Sequence, residues 1–437
     1  MPSDTIFALS SGPPPAGVAV VRISGPHVRS ALETLIDSLP EPRSATLRSI
    51  RGRDGVIDRG LVLFFPAPAS FTGEDVAELH LHGGRAVVAA LLAELSALPG
   101  LRPAEPGEFT RRAFANGRMD LTQVEGLADL VAAETESQRR QALRQADGAL
   151  GSLYESWRER LVRARALIEA ELDFPDEEDV PGSVSVQVWD EVRALRQDIF
   201  NHVGDRRGER IRDGAEIVVL GPPNAGKSSL VNAIAQRDVA IVTPEPGTTR
   251  DLIEVRLDLG GHAATLVDTA GIREATGAVE REGIRRAEAR AEGADVVLWL
   301  ADVTAVPSPA PAGALRIGTK LDLIDSEAER SRIAGGYHIA LSTHTGAGVG
   351  ELLALLTARL DAILPASEAP LVTRARHRAA LIATVSAIDD ALAADGRPLE
   401  LRAEDLRRAG DELGRITGRI DVEDLLDVVF REFCIGK

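Results

Sequence analysis

The sequence is poor in the features that mark secreted and membrane proteins. It has one cysteine, Cys434, so no disulfide can form within the chain, and a reducing compartment is expected. No apolar run reaches the ~20 residues that a membrane-spanning helix needs. Asp4 and the prolines from Pro13 to Pro15 interrupt any amino-terminal signal segment. We therefore expect a cytoplasmic protein without a membrane span.

Positive charge is also scarce. Lysine and arginine together number 50 against 67 aspartates and glutamates, which leaves a net charge of −17. Because binding to phosphate backbones needs a basic surface, this balance excludes a generic nucleic-acid binder. A role on RNA would need a partner that supplies the basic face. With 437 residues, 44% of them hydrophobic, the chain is long enough for several folded domains.

One glycine-rich stretch organises the rest of the chain. Residues 221–228 read G-P-P-N-A-G-K-S, which matches the phosphate-binding pattern G-x-x-x-x-G-K-S. A short apolar strand is predicted at 216–220 and a helix from Ser229, which is the context that this pattern requires. Backbone N–H groups of the loop would face phosphate oxygens, Lys227 would supply a charge, and Ser228 would offer its hydroxyl to Mg²⁺. The alternative is an ordinary glycine-rich turn before a helix.

Further motifs follow in the order typical of GTPases. A threonine-rich loop, T-P-E-P-G-T-T-R, occupies 243–250, and a strand ending in D-T-A-G reaches 268–271. The T-K-L-D of 319–322 is similar to the guanine-reading N-K-x-D motif. A carboxylate such as Asp322 can accept from the N1–H and the amine of guanine, which adenine cannot match. The residues that we expect to bind GTP are Asn224, Ala225, Gly226, Lys227, Ser228, Ser229, Thr243, Thr248, Thr249, Asp268, Thr269, Ala270, Gly271, Lys320, Asp322 and Ser342.

Two positions depart from the usual GTPase pattern. Thr319 replaces the usual asparagine, which weakens the prediction of guanine affinity. Ile272 follows the D-x-x-G motif, and its apolar side chain cannot orient water. Another group must orient the water, or the protein only binds GTP. The nearest downstream carboxylates are Glu274, Glu280 and Glu282.

The flanking segments differ in pattern from this central α/β region. Strands are predicted at 17–23, 60–65 and 75–82 and a helix at 86–98, and segments 119–210 and 371–437 read as helical. We therefore predict an α/β domain at 1–118, a discontinuous helical bundle at 119–210 and 371–437, and an inserted Ras-like P-loop domain at 211–370. One helical face is predicted from Leu143, Leu150, Trp157, Leu161, Ile168 and Leu172, at spacings of seven and four.

Polar residues lie on one face of the strand at 75–82. Glu78, His80 and His82 share that face, and two histidines so placed could bind a metal. We favour hydrogen-bonded strand residues, because no third ligand is in view. Arg22 and Glu78 fit solvent-facing strand positions equally well.

At this point the sequence resembles a known family, the bacterial tRNA-uridine modification GTPases of the MnmE/TrmE type. The resemblance covers essentially the whole chain. Its motifs are D-T-I (4–6), R-I-S-G (22–25), F-T-G-E-D (71–75), H-G-G (82–84), P-G-E-F-T (106–110), D-F-P (173–175), N-A-G-K-S-S (224–229), G-T-T-R-D (247–251), D-T-A-G (268–271) and F-C-I-G-K (433–437).

The resemblance implies a GTP hydrolase of tRNA modification. Together with an FAD-dependent partner of the MnmG/GidA type, it would add a carboxymethylaminomethyl-type group to C5 of the wobble uridine, position 34, of certain tRNAs. The one-carbon unit would come from a 5-formyl-tetrahydrofolate-type folate bound by the amino-terminal domain. That domain would also form a homodimer, and the partner would complete a heterotetramer or larger assembly. FAD would lie on the partner.

The resemblance also implies roles for individual residues. Arg22, Glu78, Arg118 and Lys437 match folate-contacting positions, and Arg118 stands where some members carry lysine. Hydrolysis would be stimulated by K⁺ held by Asn224, Thr243, Glu245 and Thr248. Glu280 matches the water-activating glutamate, and Ser228 and Thr249 match the Mg²⁺ ligands.

Two other interpretations stay open at this point. A regulatory GTPase of ribosomes or ribosomal RNA would carry the same nucleotide motifs but leaves Arg22, Glu78 and the carboxyl-terminal C-I-G-K without a role. A folate-binding scaffold with an inactive GTPase is disfavoured by the intact Lys227 and Asp268.

Overall fold

The computed structural model describes most of the chain. The described residues are 4–173, 184–241, 253–268, 290–306, 309–365, 369–393, 397–420, 426, 429, 430, 433 and 436. Their contacts form two compact units: unit 1 comprises 1–128, 145–192 and 386–437, and unit 2 comprises 129–144 and 193–385. None of the helices in the described ranges is long and apolar enough to cross a membrane. The three-part domain bounds remain a prediction.

Unit 1 contains a mixed sheet of six strands in the order β3-β4-β5-β2-β1-β6, in which only β1 and β6 pair in parallel. Helices α1 and α2 contribute to its core. The elements are β1 (Thr5–Leu9), β2 (Ala16–Ser24), α1 (Val28–Leu35), β3 (Thr46–Gly52), β4 (Gly55–Phe65), β5 (Val76–Gly83), α2 (Arg85–Ala97), β6 (Leu101–Pro103) and α3 (Glu108–Ala115).

The alternation predicted for the third strand is confirmed in β5. Ala77, Leu79 and Leu81 are buried in the core beneath α1 and α2, whereas Glu78 and His80 are half-buried on the opposite face. This follows from the two-residue period of a strand, which sends successive side chains to opposite faces of the sheet. The sheet therefore has one apolar face and one face that carries polar groups.

Helices dominate both flanking segments, as predicted. They are α4 (Leu121–Ala132), α5 (Glu136–Ala146), α6 (Ala149–Asp173), α7 (Val184–Gly204), α8 (Arg207–Asp213), α12 (Ala375–Leu392) and α13 (Leu399–Thr417), and within unit 1 α6 packs along α13.

The prediction that Leu143 shares a helical face with Leu150 is wrong. Helix α5 ends at Ala146, and Gly148, with φ of 91°, separates it from α6. Leu143 is therefore exposed on another helix, whereas Leu150 is buried. A left-handed φ is easily adopted by glycine and ends a helix. The buried residues of α6 include the predicted Leu150, Trp157, Leu161 and Ile168, together with Tyr154 and Ala164.

Unit 2 contains a second six-stranded sheet in the order β12-β11-β10-β7-β9-β8. All neighbours pair in parallel except β8 and β9, which confirms the predicted α/β domain. Its elements are β7 (Ala215–Leu220), α9 (Lys227–Ala235), β8 (Ile253–Leu259), β9 (His262–Asp268), β10 (Val296–Asp302), β11 (Leu315–Thr319), α10 (Glu327–Ala334), β12 (Ile339–Ala340) and α11 (Val349–Ile363).

A buried arginine joins separate parts of unit 1. The Arg112 side chain on α3 is 4% exposed and donates to Asp4, Glu74 and Glu108. Arg102 also binds Asp4 and Glu108. Burial alone would raise the pKa of Glu108, but hydrogen bonds from Arg102, the Glu105 amide and Arg112 hold that pKa below its ordinary value of 4.5.

We predict that Arg112→Leu destabilises unit 1 by about 3–5 kcal/mol, because it removes the arginine that binds the mostly buried Glu74 and leaves Asp4 and Glu108 with Arg102 alone. Hydrogen exchange of the peptides that cover β1 and β2 measures the loss. The control is Arg53→Leu, whose side chain is 71% exposed beside Glu94 and which should change exchange very little.

The loss should also depend on pH. Since the folded-state pKa of Glu108 is lowered, its ion pairs stabilise fully above the unfolded value of 4.5, and that contribution disappears as the pH falls through the folded-state value. The difference in exchange between wild type and Arg112→Leu should therefore shrink in acid. A difference that grows in acid would contradict this account.

Candidate functional site

The parallel strands of unit 2 bring the predicted nucleotide motifs to one edge of the sheet. In the register of β7 with β9, Val219 lies opposite Asp268, and in that of β7 with β10, Leu220 lies opposite Trp299. The loop of 221–226 leaves the carboxyl end of β7, and residues 319–322 leave the end of β11. Ligands of open α/β sheets bind at this edge, outside the carboxyl ends of the strands.

The phosphate-loop sequence has the backbone that its glycines predict. Gly226 is left-handed, with φ of 85°, and precedes α9, which begins at Lys227. Gly221 has φ of 148°, and a β-carbon there would collide with the carbonyl oxygen of Leu300. Asn224 is exposed and left-handed, with φ of 62°. The loop thus turns sharply against β10 and presents the amino terminus of α9, where anions are stabilised.

Two predicted side chains, those of Ser228 and Lys227, have hydrogen-bond acceptors at this edge of the sheet. Ser228 Oγ donates to Asp268 Oδ2 at 2.6 Å, and Asp268 is fully buried. Lys227 Nζ donates to the carbonyl oxygens of Gly221 and Pro222 at 2.9 and 3.0 Å. Burial lowers the pKa of Lys227, and the charge of Asp268 opposes that shift. The Lys227 ammonium group therefore lies near the Ser228 hydroxyl and the Asp268 carboxylate, which are oxygen ligands of the kind that Mg²⁺ prefers.

The predicted base-reading residues also lie together. The Ser342 side chain hydrogen-bonds Asp322, which is the largest cause of the lowered pKa of that carboxyl group. Ser342 is 1% exposed, whereas Asp322 is half-buried. Lys320 has a left-handed backbone, with φ of 61°, and its Nζ binds Asp302 Oδ2 at 2.7 Å. Asp322 is therefore held as an oriented, ionised acceptor beside the phosphate loop.

Thr319 has a structural partner in the phosphate loop. Its hydroxyl lies 2.8 Å from the carbonyl oxygen of Ala225 and 3.3 Å from that of Ala301, and the side chain is buried. Thr319, which stands in place of the usual asparagine, thus forms a hydrogen bond between the T-K-L-D loop and the phosphate loop.

A second group of predicted residues lies on the polar face of the sheet of unit 1. Arg22 and Glu78 are opposite each other in β2 and β5, and Arg22 Nη2 lies 2.9 Å from Glu78 Oε1. The Arg22 guanidinium also lies over the rings of Phe71 and Phe109, 5.1 and 5.7 Å from their centroids. Both side chains are half-buried rather than freely solvated.

Other predicted folate positions border this pair. Arg118 is exposed, and a β-carbon on Gly73 would lie 3.3 Å from its Cγ, so it adjoins the loop that also carries Phe71. At the carboxyl terminus, Ser10 Oγ donates to the carbonyl oxygen of Gly436 at 2.8 Å. Ser10 follows β1, whose Ala8 lies opposite Arg22. Lys437 lies outside the described residues.

The two histidines of β5 are hydrogen-bonded strand residues, as we favoured. His80 Nε2 lies 3.3 Å from Glu78 Oε2, and His82 Nδ1 lies 2.9 Å from Asp58 Oδ1. Among the described residues no group of three or more metal-ligating side chains was found.

Several predicted site residues lie outside the described part of the chain. They are Thr243, Glu245, Thr248, Thr249, Thr269, Ala270, Gly271 and Glu280. Their assignments remain predictions.

Sequence reasoning missed three features of these sites. Two of them are the rings of Phe71 and Phe109, which flank Arg22. Both residues lie in family motifs, but their contacts with Arg22 form only when distant segments of the chain fold together. The tie from Thr319 to Ala225 spans 94 positions of sequence and gave no local signal.

The chain matches known proteins over almost its whole length. The amino-terminal residues 5–118 match the family described as "GTP-binding protein TrmE N-terminus", and residues 121–434 match the MnmE helical domain. The chain is 56% identical over 439 residues to a tRNA modification GTPase MnmE of Brucella canis, covering 99% of this chain and 98% of the relative. It is 55% identical to that of Parvibaculum lavamentivorans, covering 99% of this chain and 100% of the relative.

A solved structure of Era with MgGDPNP and a segment of 16S ribosomal RNA is 24% identical and covers 40% of this chain and 66% of that chain. Its TM-score is 0.27, which is too low to carry an argument. The full-length matches decide the question, because they span both sites. The chain belongs to the MnmE family of tRNA modification GTPases.

Proposed function

We propose that the protein is a cytoplasmic GTP hydrolase that modifies the wobble uridine of tRNAs together with an FAD-dependent partner. The observation that carries the proposal is the meeting of Lys227, Ser228 and Asp268 at the carboxyl edge of a parallel sheet. A phosphate loop and a buried carboxylate in this arrangement are the parts from which P-loop GTPases build their phosphate and Mg²⁺ sites. The family's activity supports tRNA as the substrate.

The oxygen ligands fit Mg²⁺. Ser228 would bind the ion directly, Asp268 would hold it through water, and Thr249 would complete the set. When bound, Mg²⁺ would neutralise charge on the β- and γ-phosphates. Lys227 has the position to exchange its contacts with the Gly221 and Pro222 carbonyls for phosphate oxygens, because all of these atoms belong to the same loop.

Hydrolysis needs a group that activates water, since Ile272 cannot. We assign that role to Glu280 and propose K⁺ as the additional cation at the phosphates, held by Asn224 with Thr243, Glu245 and Thr248. The exposed, left-handed position of Asn224 at the loop surface supports this assignment, because its amide oxygen can reach a cation from solvent. K⁺ bound there would supply positive charge where the reaction develops negative charge.

The amino-terminal site is proposed for a 5-formyl-tetrahydrofolate-type folate. Arg22 offers a cation flanked by two aromatic rings, and Glu78 offers an acceptor for the donor groups of a pterin. Arg118 would meet a carboxylate of the glutamate tail, and Lys437 would also contact the folate. A homodimer and an FAD-dependent partner complete the proposed assembly, and the net charge of −17 supports a partner that supplies the basic face for tRNA.

The central test is the rate of GTP hydrolysis in K⁺ compared with Na⁺ at equal ionic strength. We expect a clear stimulation by K⁺ and none by Na⁺, because the smaller ion fits the same oxygen ligands poorly. Asn224→Ala should abolish the difference while GTP still binds. Equal rates in the two salts for the wild type would contradict the proposed K⁺ site.

Glu280→Ala is expected to bind GTP with unchanged affinity and to lose about 10²–10⁴-fold in turnover, the usual contribution of a general base. The neighbouring carboxylates provide matched controls, and Glu274→Ala and Glu282→Ala should keep most activity. Equilibrium binding of a fluorescent GTP analogue measures the affinity, and single-turnover hydrolysis measures the rate of the chemical step. A fully active Glu280→Ala protein would sink the assignment.

Deletion of residues 434–437 is expected to spare GTP hydrolysis and abolish tRNA modification, because we assign this segment to the folate site and not to the nucleotide site. Mass spectrometry of nucleosides from tRNA treated with the truncated protein and its partner gives the answer. Normal wobble-uridine modification by the truncated protein would exclude the carboxyl terminus from the site.

A further inference from the structure

Thr319 occupies a junction of three segments of the nucleotide site. It is the last residue of β11, and it lies opposite Asp302 at the end of β10. Its side chain is 1% exposed, and a β-carbon on Gly226 would lie 3.8 Å from its Oγ1. The side chain is therefore enclosed between the end of β10 and the phosphate loop, and it immediately precedes the base-reading residues.

The two hydrogen-bond partners of the Thr319 hydroxyl are both carbonyl oxygens. The Ala225 oxygen is 2.8 Å away and the Ala301 oxygen 3.3 Å away. A carbonyl oxygen can only accept, and a threonine hydroxyl has a single proton to donate. The shorter distance assigns that proton to Ala225. The hydroxyl is thereby left without a proton for any further acceptor.

The hydrogen-bonding groups on the Hoogsteen edge of guanine, N7 and O6, are both acceptors. A hydroxyl whose proton is committed cannot bind either atom. An asparagine amide, by contrast, has two N–H groups and can keep one on a carbonyl while offering the other. The Watson–Crick edge differs, because its N1–H and amine are donors, and the ionised Asp322 held by Ser342 is a suitable acceptor for them.

We propose that Thr319 is a positioning residue that fastens the phosphate loop to the base-reading loop and does not bind the base, so that N7 of the purine is not recognised by this side chain. Guanine is then selected by Asp322, which accepts from the N1–H and the amine of the Watson–Crick edge. The inference rests on the proposed function, since it concerns how the same site selects GTP.

The decisive measurement is the affinity for GTP against 7-deaza-GTP, in which N7 is replaced by a C–H group. Equilibrium binding to the full-length chain should give a ratio close to one for the wild type. For Thr319→Asn, the second N–H becomes available, and GTP should bind about fivefold or more tightly than 7-deaza-GTP. A wild type that prefers GTP by tenfold, or an unchanged ratio in Thr319→Asn, would overturn the proposal.

Two variants of Thr319 test whether its hydroxyl positions the phosphate loop. Thr319→Val removes the hydroxyl at nearly constant volume and leaves the Ala225 carbonyl without its donor, so both nucleotides should bind about tenfold more weakly with their ratio unchanged. Thr319→Ser retains the hydroxyl and should restore the affinity. A Thr319→Val protein that binds both nucleotides as the wild type does would exclude the tie.

These outcomes separate the inference from the function on which it rests. If the wild-type protein binds neither GTP nor GDP, the proposed function fails. If it binds GTP and rejects ATP but also discriminates against 7-deaza-GTP, the function stands and the assignment of Thr319 fails.

Discussion

The parallel pairing of β7 with β9 and β10 is the constraint on which the nucleotide site depends. It places the ends of strands that are far apart in sequence at a single edge, so the phosphate loop, Asp268 and the T-K-L-D loop become neighbours. The interior strands are apolar because helices cover such a sheet on both faces. Polar side chains therefore collect at the strand ends, where Ser228 reaches Asp268.

Cations are used differently in the two units. In unit 1, Arg112 is enclosed by carboxylates and has a structural role, whereas Arg22 on β2 keeps an ion pair with Glu78 at a partly open, aromatic-flanked position. In unit 2, Lys227 binds backbone carbonyls of its own loop and is attracted to Asp268. Arg112 is closed off by its carboxylates, whereas Arg22 and Lys227 are cations that a ligand can approach.

Much of the fold follows from local pattern. The strand predicted at 216–220, its loop and the helix that follows are present as β7, the phosphate loop and α9, because an apolar run and a motif of fixed spacing coincide there, and β5 was predicted from its alternation. The helix break at Gly148 was missed, because a regular spacing of leucines can continue by chance across a turn. The surroundings of Arg22 and the tie from Thr319 were not predictable, since each joins segments that only the tertiary fold brings together.

The contact of Gly436 with the first strand has a consequence for the order of folding. Gly436 is left-handed, with φ of 100°, and lies so close to the Leu9 carbonyl that no β-carbon fits between them. Leu9 and Ser10 therefore meet this partner only after residue 436 has been synthesised. Strand β1 can pair with β2 and β6 earlier, but the end of that strand beside Ser10 stays uncovered until then, so unit 1 is completed late in synthesis.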